Sequence, residues 1–530
     1  MALYKAQDAP WSLNHSRQMD VHTWSDHPEV NRFVDIIHEA YFVGSNSLTG
    51  IEKHALKKVL IDLYVAWMND PEMCIGFYMG SGYYKVNSRY NTLKISDKTG
   101  LIVRHLSDLD LIDTAKGFHD EGGASRNSRM KATPKLVQYF KDAKINKFDI
   151  GYALRKPEDQ RLRAYEPIIM RIKTADGRGN VLKENIEYED TPETERMREV
   201  LWDYNLLLAQ HHIDLSNTDV PWVDHKEIDK RIGKPKRTYI SHNDKFTHRV
   251  FNNNRWDHGG RFYGGFWQSI PSASRPFIRI NGRRTIEVDY SSHHPALLYA
   301  QRGINYWKEV GADPYEIETN NNHPVWQRKY LKDLLLIAIN AESDEKAFGA
   351  FIREHVIGNK DLKGVFTHKI LGAALDALRS KHEPIAELIG TGKGIELQYL
   401  DSQITEMIIT SFMADGIPVL AVHDSYIVWE EHADGLRDVM NEAWRKLSSL
   451  PDSKLMEDVF GTGMPTWIKT KQIGYTDEEF DSQEEGGGER HLQIMSIKDN
   501  EYVGQRYLDD LEAFREWKDR PPSMMTKHRI

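Results

Sequence analysis

Two apolar, strand-favouring runs that each end on an aspartate constrain this chain more than any other feature. Residues 287–291 read EVDYS, and residues 419–425 read VLAVHDS. An aspartate that closes one strand usually serves a turn. Two carboxylates at the ends of separate buried strands can instead hold Mg²⁺, which takes carboxylate oxygens together with substrate phosphates. The runs therefore predict that Asp289 and Asp424 hold two Mg²⁺ ions that stabilise the attacking and leaving oxygens of a phosphoryl transfer.

The stretch between the two aspartates contains a segment without Gly or Pro, residues 328–341, which predicts a helix. Arg328, Lys332, Leu336 and Asn340 follow one another at intervals of four residues, so they share one helical face. Two cations followed by an apolar and a polar residue suit a triphosphate at one end and a base at the other. The alternative is the solvated end of an amphipathic core helix, and the helix alone favours that alternative.

A chain of 530 residues, 40% of them hydrophobic, fits two or three domains. The formal net charge of −9 argues against indiscriminate nucleic-acid binding but permits a local basic channel. Such a channel is predicted within residues 230–262, where cations alternate with aromatic residues and suit a bound strand. A solvated connector is the alternative. The cations are Lys230, Arg231, Lys234, Lys236, Arg237, Lys245, Arg249, Arg255 and Arg261.

The single cysteine, Cys74, excludes an internal disulfide framework and suits a reducing compartment. The N-terminus lacks a signal-peptide pattern, and no apolar run is long enough to cross a bilayer. We therefore expect a cytoplasmic protein without a membrane partner.

The sequence pattern of the N-terminal region predicts two helices followed by a basic hairpin. Residues 51–69 form an amphipathic pattern, and a second pattern within residues 96–106 begins with Ser96 as N-cap. A Gly-rich span, 117–123, then precedes a basic, turn-rich stretch, 125–134. This outline resembles the winged-helix domains of replication initiators and transcriptional regulators, whose basic wings contact phosphates. The alternatives are a helical domain with a solvated loop and a winged helix that binds protein. The candidate DNA contacts are Lys98, Arg104, Arg126, Arg129 and Lys131.

Five motifs run in a fixed order through the C-terminal half. They are Gln268-Ser269-Ile270-Pro271 with Arg275 and Asp289-Tyr290-Ser291, then Asp313-Pro314-Tyr315, then Arg328, Lys332, Asn340 and Ala341 at their spacing, then Leu397-Gln398 through Ile404, and finally His423-Asp424-Ser425. Their order resembles that of the family A nucleic-acid polymerases, which include bacterial repair DNA polymerases and single-subunit RNA polymerases. The resemblance covers roughly residues 250–475.

The resemblance implies a role for each matching residue. Asp289 and Asp424 would hold the two Mg²⁺ ions, and Arg328 and Lys332 would bind the triphosphate. His423 and Gln398 would contact the primer end. The remaining residues would line the nucleotide site (Leu336, Asn340, Tyr290 and His294) or contact the nucleic acid (Arg261 and Arg275).

The chain departs from the family pattern at several positions. Asn340-Ala341 replaces the usual Tyr-Gly, and Leu336 replaces an aromatic residue one turn earlier. His294 aligns with the Glu that blocks a ribose 2′-OH in the DNA polymerases. Ser425 is typical of the RNA polymerases, as is the pattern of residues 257–261. His293 and His294 have no Cys or Glu-x-x-His spacing that indicates zinc, so we expect them to line a pocket or to pack.

We therefore expect an α+β fold with a winged-helix domain at 1–145 and a helical connector or thumb-like region at 146–250. A right-hand polymerase palm with an antiparallel sheet and helical fingers would follow at 251–475, and an acidic linker and tail at 476–530. The expected activity is template-directed DNA synthesis on a primer or nascent strand from nucleoside triphosphates, without a proofreading exonuclease. The alternatives are a single-subunit or primase-like RNA polymerase, a template-independent transferase, and a non-catalytic replication initiator or regulator.

Overall fold

Capping residues and apolar runs divide the chain into interspersed helices and strands, which confirms the expected α+β class. The computed structural model describes residues 12–44, 47–79, 84–119, 125–152, 165–175, 181–229, 232–357, 360–448, 468–471 and 502–520. The helices are α1 Pro28–Tyr41, α2 Gly50–Asn69, α3 Lys98–Asp108, α4 Pro134–Asp142, α5 Pro192–Ala209, α6 His293–Gln301, α7 Arg328–Asn340, α8 Asp344–His355, α9 His368–Lys381, α10 Gly394–Ala414, α11 Ala433–Leu447 and α12 Gln505–Lys518.

The strands are mostly short and form several separate sheets. They are β1 Ser16–Gln18, β2 Thr23–Trp24, β3 Cys74–Phe77, β4 Ile112–Ala115, β5 Phe118–His119, β6 Ser125–Arg126, β7 Ser128–Ala132, β8 Gly151–Tyr152, β9 Ile168–Ala175, β10 Val181–Ile186, β11 Ile213–Leu215, β12 Trp222–Asp229, β13 Lys234–Tyr239, β14 Thr247–Asn252, β15 Arg255–Gly264, β16 Ile278–Ile280, β17 Arg283–Tyr290, β18 Leu420–Val422, β19 Ser425–Trp429 and β20 Ile468–Lys471.

The N-terminal helices pack against a four-stranded sheet of order β1-β3-β7-β4 and share one hydrophobic core with it. A helix at 51–69 is confirmed as α2, which begins with a capping box between Thr49 and Glu52. The expected amphipathic pattern is wrong over residues 58–64, which are buried on every side of the helix. The second helix begins later than predicted, because Asp97 and not Ser96 is its N-cap. The Ser96 hydroxyl nevertheless accepts a hydrogen bond from the Lys98 amide at 3.3 Å. Part of the predicted Gly-rich span lies outside the described residues.

A second sheet, of order β10-β9-β14-β15, lies against the long helix α10. The contact is close at Gly260 on β15, which has a positive φ of 76°. A Cβ atom at this position would come within 2.9 Å of the Ser402 hydroxyl on α10 and 2.8 Å of the Phe251 ring. Glycine therefore permits both the backbone conformation and the approach of the strand to the helix.

The third sheet carries the two aspartate-bearing runs, and all its strand pairs are antiparallel. Its order is β11-β16-β17-β19-β18, with β20 paired to the other side of β17. Helix α11 packs against β17 and β19, and its buried face contributes Leu436, Met440 and Trp444 to the core. Helix α11 thus covers one side of the sheet and holds its central strands in place.

The predicted helix at 328–341 is confirmed as α7. One of its faces is buried against α8 and α9. The face that carries Arg328, Lys332 and Leu336 is partly exposed, and Asn340 at its end is exposed. The buried residues of the opposite face are Tyr330, Leu331, Leu334, Leu335, Ala338 and Ile339.

Helix α12 contacts both the N-terminal and the central parts of the chain. Arg506 pairs with Asp214 at 2.8 Å, whereas Arg520 pairs with Asp149 at 3.0 Å. Phe514 packs on Phe148 with the ring centroids 5.1 Å apart. The helix therefore joins elements that are distant in sequence. Among the described residues, no helix is both long and apolar enough to cross a membrane.

Candidate active site

The structure places Asp289 and Asp424 side by side at one end of the third sheet. Asp289 is in register with Ser425 on the neighbouring antiparallel strand. The amide of Tyr290 donates a hydrogen bond to the Asp424 carbonyl at 3.3 Å. Both aspartates are partly exposed. Asp289 on β17 and Asp424 in the turn before β19 are thus neighbours along the backbone, although their positions are far apart in sequence.

A tight turn presents Asp424. Val422 on β18 pairs with Ser425 on β19, so His423 and Asp424 form a two-residue hairpin turn. His423 has a positive φ of 57°, as such turns require. Its imidazole is exposed and lies edge-on to the Tyr263 ring at 6.1 Å. The turn geometry therefore brings the predicted primer contact His423 to the surface beside Asp424.

Polar contacts fix the strand beneath the aspartates. Glu287 accepts a hydrogen bond from the Ser425 hydroxyl at 2.7 Å and one from the Arg275 guanidinium at 2.8 Å. Arg275, predicted to contact nucleic acid, is therefore paired within the protein. Tyr290, predicted to contact the nucleotide, is buried, and its hydroxyl donates to the Met440 carbonyl. Both residues hold the sheet in place in this structure.

The donor set suits Mg²⁺ better than zinc. The two aspartates provide anionic oxygens, and Mg²⁺ commonly binds to one or two carboxylates while keeping water and substrate phosphate as further ligands. Within the described part of the chain, no three His, Cys, Asp or Glu side chains form a group that could hold a metal.

An ion-pair network lies next to the aspartate pair. Asp401 on α10 is fully buried and accepts a hydrogen bond from Arg261 Nε at 2.5 Å. Its other oxygen lies 3.2 Å from His293 Nε2. Burial opposes ionisation of Asp401, but Arg261 and then His293 outweigh it and hold the carboxyl pKa below its ordinary value. The network thus fixes Arg261, whose charge also interacts with Asp424.

His294, near the start of α6, is a further member of this network. Its Nε2 atom lies 2.8 Å from Arg261 Nη2, and a guanidinium can only donate, so the imidazole nitrogen accepts. Burial first, and then the Arg261 charge, lower the pKa of His294 to about 4. His294 is therefore neutral near pH 7 in the folded protein.

We expect His294→Gln to weaken the dependence of stability on acid pH. The folded pKa of about 4 lies below the free value of 6.5, so the unfolded chain binds this proton first. The contribution of neutral His294 to the free energy of unfolding is fully present above pH 6.5 and is lost as the pH falls towards 4. Glutamine can accept the Arg261 hydrogen bond without titrating. Urea unfolding of both proteins at about pH 7.5 and about pH 5 measures how much free energy of unfolding each one loses on acidification. An equal loss in the variant and in the unmodified protein would contradict a low pKa for His294.

Arg328 contacts Asp313 and Tyr315, and Tyr315 also interacts with Asp424. Arg328 Nε donates to Asp313 at 2.8 Å, and its guanidinium lies 5.4 Å from the centre of the Tyr315 ring. Tyr315 is buried and hydrogen-bonded to Ser292, three residues after Asp289. Burial raises the pKa of the Tyr315 hydroxyl, and that hydroxyl interacts with both Arg328 and Asp424. Tyr315 therefore connects the start of α7 with the aspartate-bearing strands.

The other end of the α7 face contacts α10. The Gln398 amide donates to the Asn340 side-chain oxygen at 3.3 Å, and Asn340 donates to the Leu336 carbonyl at 2.7 Å. A cavity of about 560 Å³ opens beside Leu336 and Asn340. The four predicted α7 residues thus extend from the Asp313 contact, through the partly exposed Lys332, to the contact with Gln398.

The five candidate DNA contacts of the N-terminal region have different environments. Arg104 is exposed. Lys98 pairs with Glu52 at 3.1 Å, and Lys131 pairs with Glu72 at 2.9 Å. The Arg126 guanidinium lies 5.2 Å from the Phe118 ring centre, and the buried Arg129 donates to the Leu13 carbonyl at 3.1 Å. Arg129 therefore stabilises the N-terminal sheet.

Of the predicted basic channel at 230–262, Lys230 and Arg231 lie outside the described residues, and the described cations do not form a continuous surface. Arg249 is buried and paired with Glu406, while Lys245 is buried against the carbonyl oxygens of Leu208 and His211. Arg261 belongs to the Asp401 network, and Arg255 pairs with Asp257 at 2.6 Å. The exposed cations of the described stretch are concentrated on β13.

Asp401 and its contact with His293 were not predicted from the sequence. Asp401 lies three residues after Gln398 on the helix before the second run, where nothing in the local pattern distinguishes it from a solvated helix residue. No family model matches the chain, and no curated protein matches it either.

Proposed function

We propose that this protein is a template-directed nucleotidyltransferase that synthesises DNA. The observation that carries the proposal is the placement of Asp289 and Asp424 on neighbouring backbone segments, with Tyr315 interacting with both Asp424 and Arg328. Phosphoryl transfer requires mainly charge stabilisation and positioning, so carboxylates for Mg²⁺ and cations for a triphosphate are its main protein components. The resemblance to the family A polymerases supports the same reaction.

In this proposal each residue has a defined task. Asp289 and Asp424 hold two Mg²⁺ ions, which would stabilise charge on the attacking and leaving oxygens. Arg328 and Lys332 bind the triphosphate, and the α7 face with Leu336 and Asn340 borders the base. His423 and Gln398 contact the primer end. Asp313 and Tyr315 position Arg328, so its guanidinium needs little reorganisation when a nucleotide binds.

The proposal also assigns the parts of the fold. The third sheet is the palm and α7–α9 form the fingers, while the N-terminal helices and sheet are a winged-helix module that binds DNA. The order α2, α3 and then the β4–β7 hairpin supports this assignment. The described residues 84–97 between β3 and α3 form turns instead of a further helix. The segment directly before α3 therefore does not provide the first helix of a helix-turn-helix, and that helix must come from a different part of the chain.

Extension of a labelled primer annealed to a longer template tests the function. The full-length protein with Mg²⁺ receives dNTPs in one reaction and NTPs in another, beside template-free and primer-free controls. Template-dependent extension with dNTPs supports DNA synthesis, and extension only with NTPs indicates an RNA polymerase. Extension without template indicates a template-independent transferase. No incorporation by folded protein would contradict the proposal and favour a non-catalytic DNA-binding protein.

We expect Arg328→Ala to raise the nucleotide KM about tenfold, the equivalent of one charge-assisted hydrogen bond. Its ion pair with Asp313 is partly exposed, so the loss should change stability little. Steady-state primer extension over a range of nucleotide concentrations provides the measurement. Lys329→Ala is the matched control, because Lys329 is exposed on the next position of the same helix. Equal KM values for the two variants would exclude Arg328 from the triphosphate site.

A further inference from the structure

A basic hairpin projects from the junction between the N-terminal part and the aspartate-bearing sheet. Strands β12 and β13 pair with each other and, within the described chain, with no other strand. Beyond the base of the hairpin, Lys226, Ile228, Lys234 and Lys236 are all exposed. An isolated two-stranded sheet is marginally stable in water, so contacts at its base must hold it.

The base of the hairpin is anchored on both sides. The Tyr239 hydroxyl donates to Asp70 of the N-terminal part at 2.9 Å. Arg237 pairs with Asp224 at 2.8 Å and stacks on Trp222, 4.3 Å from the ring centre. These contacts connect one face of the hairpin to the N-terminal part and keep its strands together.

The opposite face of the hairpin carries two exposed lysines on β13, Lys234 and Lys236, and Asp229 on β12 is the cross-strand partner of Lys234. Because side chains alternate along a strand, Lys234, Lys236 and Thr238 share one face of β13. The Thr238 hydroxyl donates to the Ser269 carbonyl at 2.9 Å. The adjacent Gln268 donates to the Ala421 carbonyl at 2.8 Å, three residues before Asp424. The lysine face is therefore continuous with the strand that presents Asp424.

The charge of this element is opposite to that of the whole protein. Residues 222–239 contain six Lys or Arg and three Asp or Glu, whereas the whole chain has a formal charge of −9. Lysines two positions apart on a strand are separated by about 7 Å. Each strand of a double helix presents one phosphate per about 3.4 Å of axis, so this pair of lysines spans about two phosphates.

We propose that the lysine face of the β12–β13 hairpin binds the phosphate backbone of the nucleic-acid duplex at the aspartate site. The identity of this duplex as primer and template rests on the proposed function. The contact positions the duplex without reading its sequence, because lysine ammonium groups contact phosphate oxygens and not base edges. Hydrogen bonds through Thr238 and Gln268 connect the lysine-bearing strand to the strand that precedes Asp424.

The salt dependence of duplex binding tests this contact. Full-length protein is titrated into a labelled DNA primer–template over a series of salt concentrations, without nucleotides. Loss of one phosphate contact changes the slope of log K against log salt by about 0.9. Lys234→Gln/Lys236→Gln should therefore reduce the slope by about 2, and Lys236→Gln alone by about 1. Lys234→Arg/Lys236→Arg should retain the original slope.

Lys369→Gln/Lys446→Gln is the matched control, because it removes two exposed charges from α9 and α11. It should leave the slope unchanged. The hairpin contact is refuted if the two double-glutamine variants have the same slope, or if the unmodified protein does not bind the duplex. Binding is measured without catalysis, and repetition with an Asp424→Asn protein keeps it independent of activity. If primer extension fails but the salt slope changes as predicted, the polymerase function is refuted and the hairpin contact stands.

Discussion

Asp424→Asn is expected to lower the rate of nucleotide incorporation by about a thousandfold, because the lost metal coordination represents several kcal/mol of transition-state stabilisation. The amide keeps the size of the side chain but loses the anionic oxygens that Mg²⁺ needs. Asparagine is also well suited to a two-residue hairpin turn, so the turn at residues 423–424 should persist. The thermal unfolding midpoint should therefore remain close to that of the unmodified protein. Single-turnover primer extension and thermal unfolding provide the two measurements.

Asp415→Asn is the appropriate control, because it makes the same chemical change at an exposed residue beyond the end of α10. It should leave incorporation within about twofold of the unmodified rate, as expected for a surface substitution away from the site. If Asp424→Asn retained more than about a tenth of the original rate, Asp424 would not be a required metal ligand. Loss of activity in both variants would indicate a general effect of charge on the protein.

The sequence allowed the elements that carry the site to be predicted because their signals are local. Helix α7 has no Gly or Pro and has an apolar face, so its limits were predicted to within one residue. The two aspartate-bearing runs consist of strand-favouring residues, and the structure pairs them as antiparallel strands of one sheet. The positions of Asp289, Asp424, Arg328 and Asn340 on these elements follow directly from the local patterns.

The contacts between distant elements could not be predicted in this way. The Arg261–Asp401 pair joins residues 140 positions apart, and Arg249–Glu406 joins residues 157 positions apart. A sequence shows the charge of Lys245 or Arg249 but not whether the side chain points towards solvent. The predicted basic channel was therefore wrong as a continuous surface, since tertiary pairing buries several of its cations.

Glu406→Leu is expected to lower the free energy of unfolding by about 3–5 kcal/mol, the usual effect of removing one partner of a buried ion pair. Arg249 is 1% exposed, and Glu406 is the carboxylate with which it pairs. Arg249 also donates to the Gly260 carbonyl at 2.8 Å and the Ser402 hydroxyl at 3.0 Å. Leucine would leave the guanidinium charge buried without its carboxylate. Equilibrium unfolding in urea measures the change.

A double substitution separates the loss of the pair from the cost of an unpaired charge. Arg249→Met/Glu406→Leu should be less destabilising than Glu406→Leu alone, because neither charge remains buried. Glu442→Ala is the control, since Glu442 pairs with Lys446 on the exposed surface and should change stability by less than about 1 kcal/mol. A loss below about 1 kcal/mol for Glu406→Leu would show that Arg249 finds another partner or water. The pair joins β14 to α10, which carries Asp401, and Arg249 also donates to Gly260 on β15, which carries Arg261. Loss of the pair should therefore also weaken nucleotide incorporation.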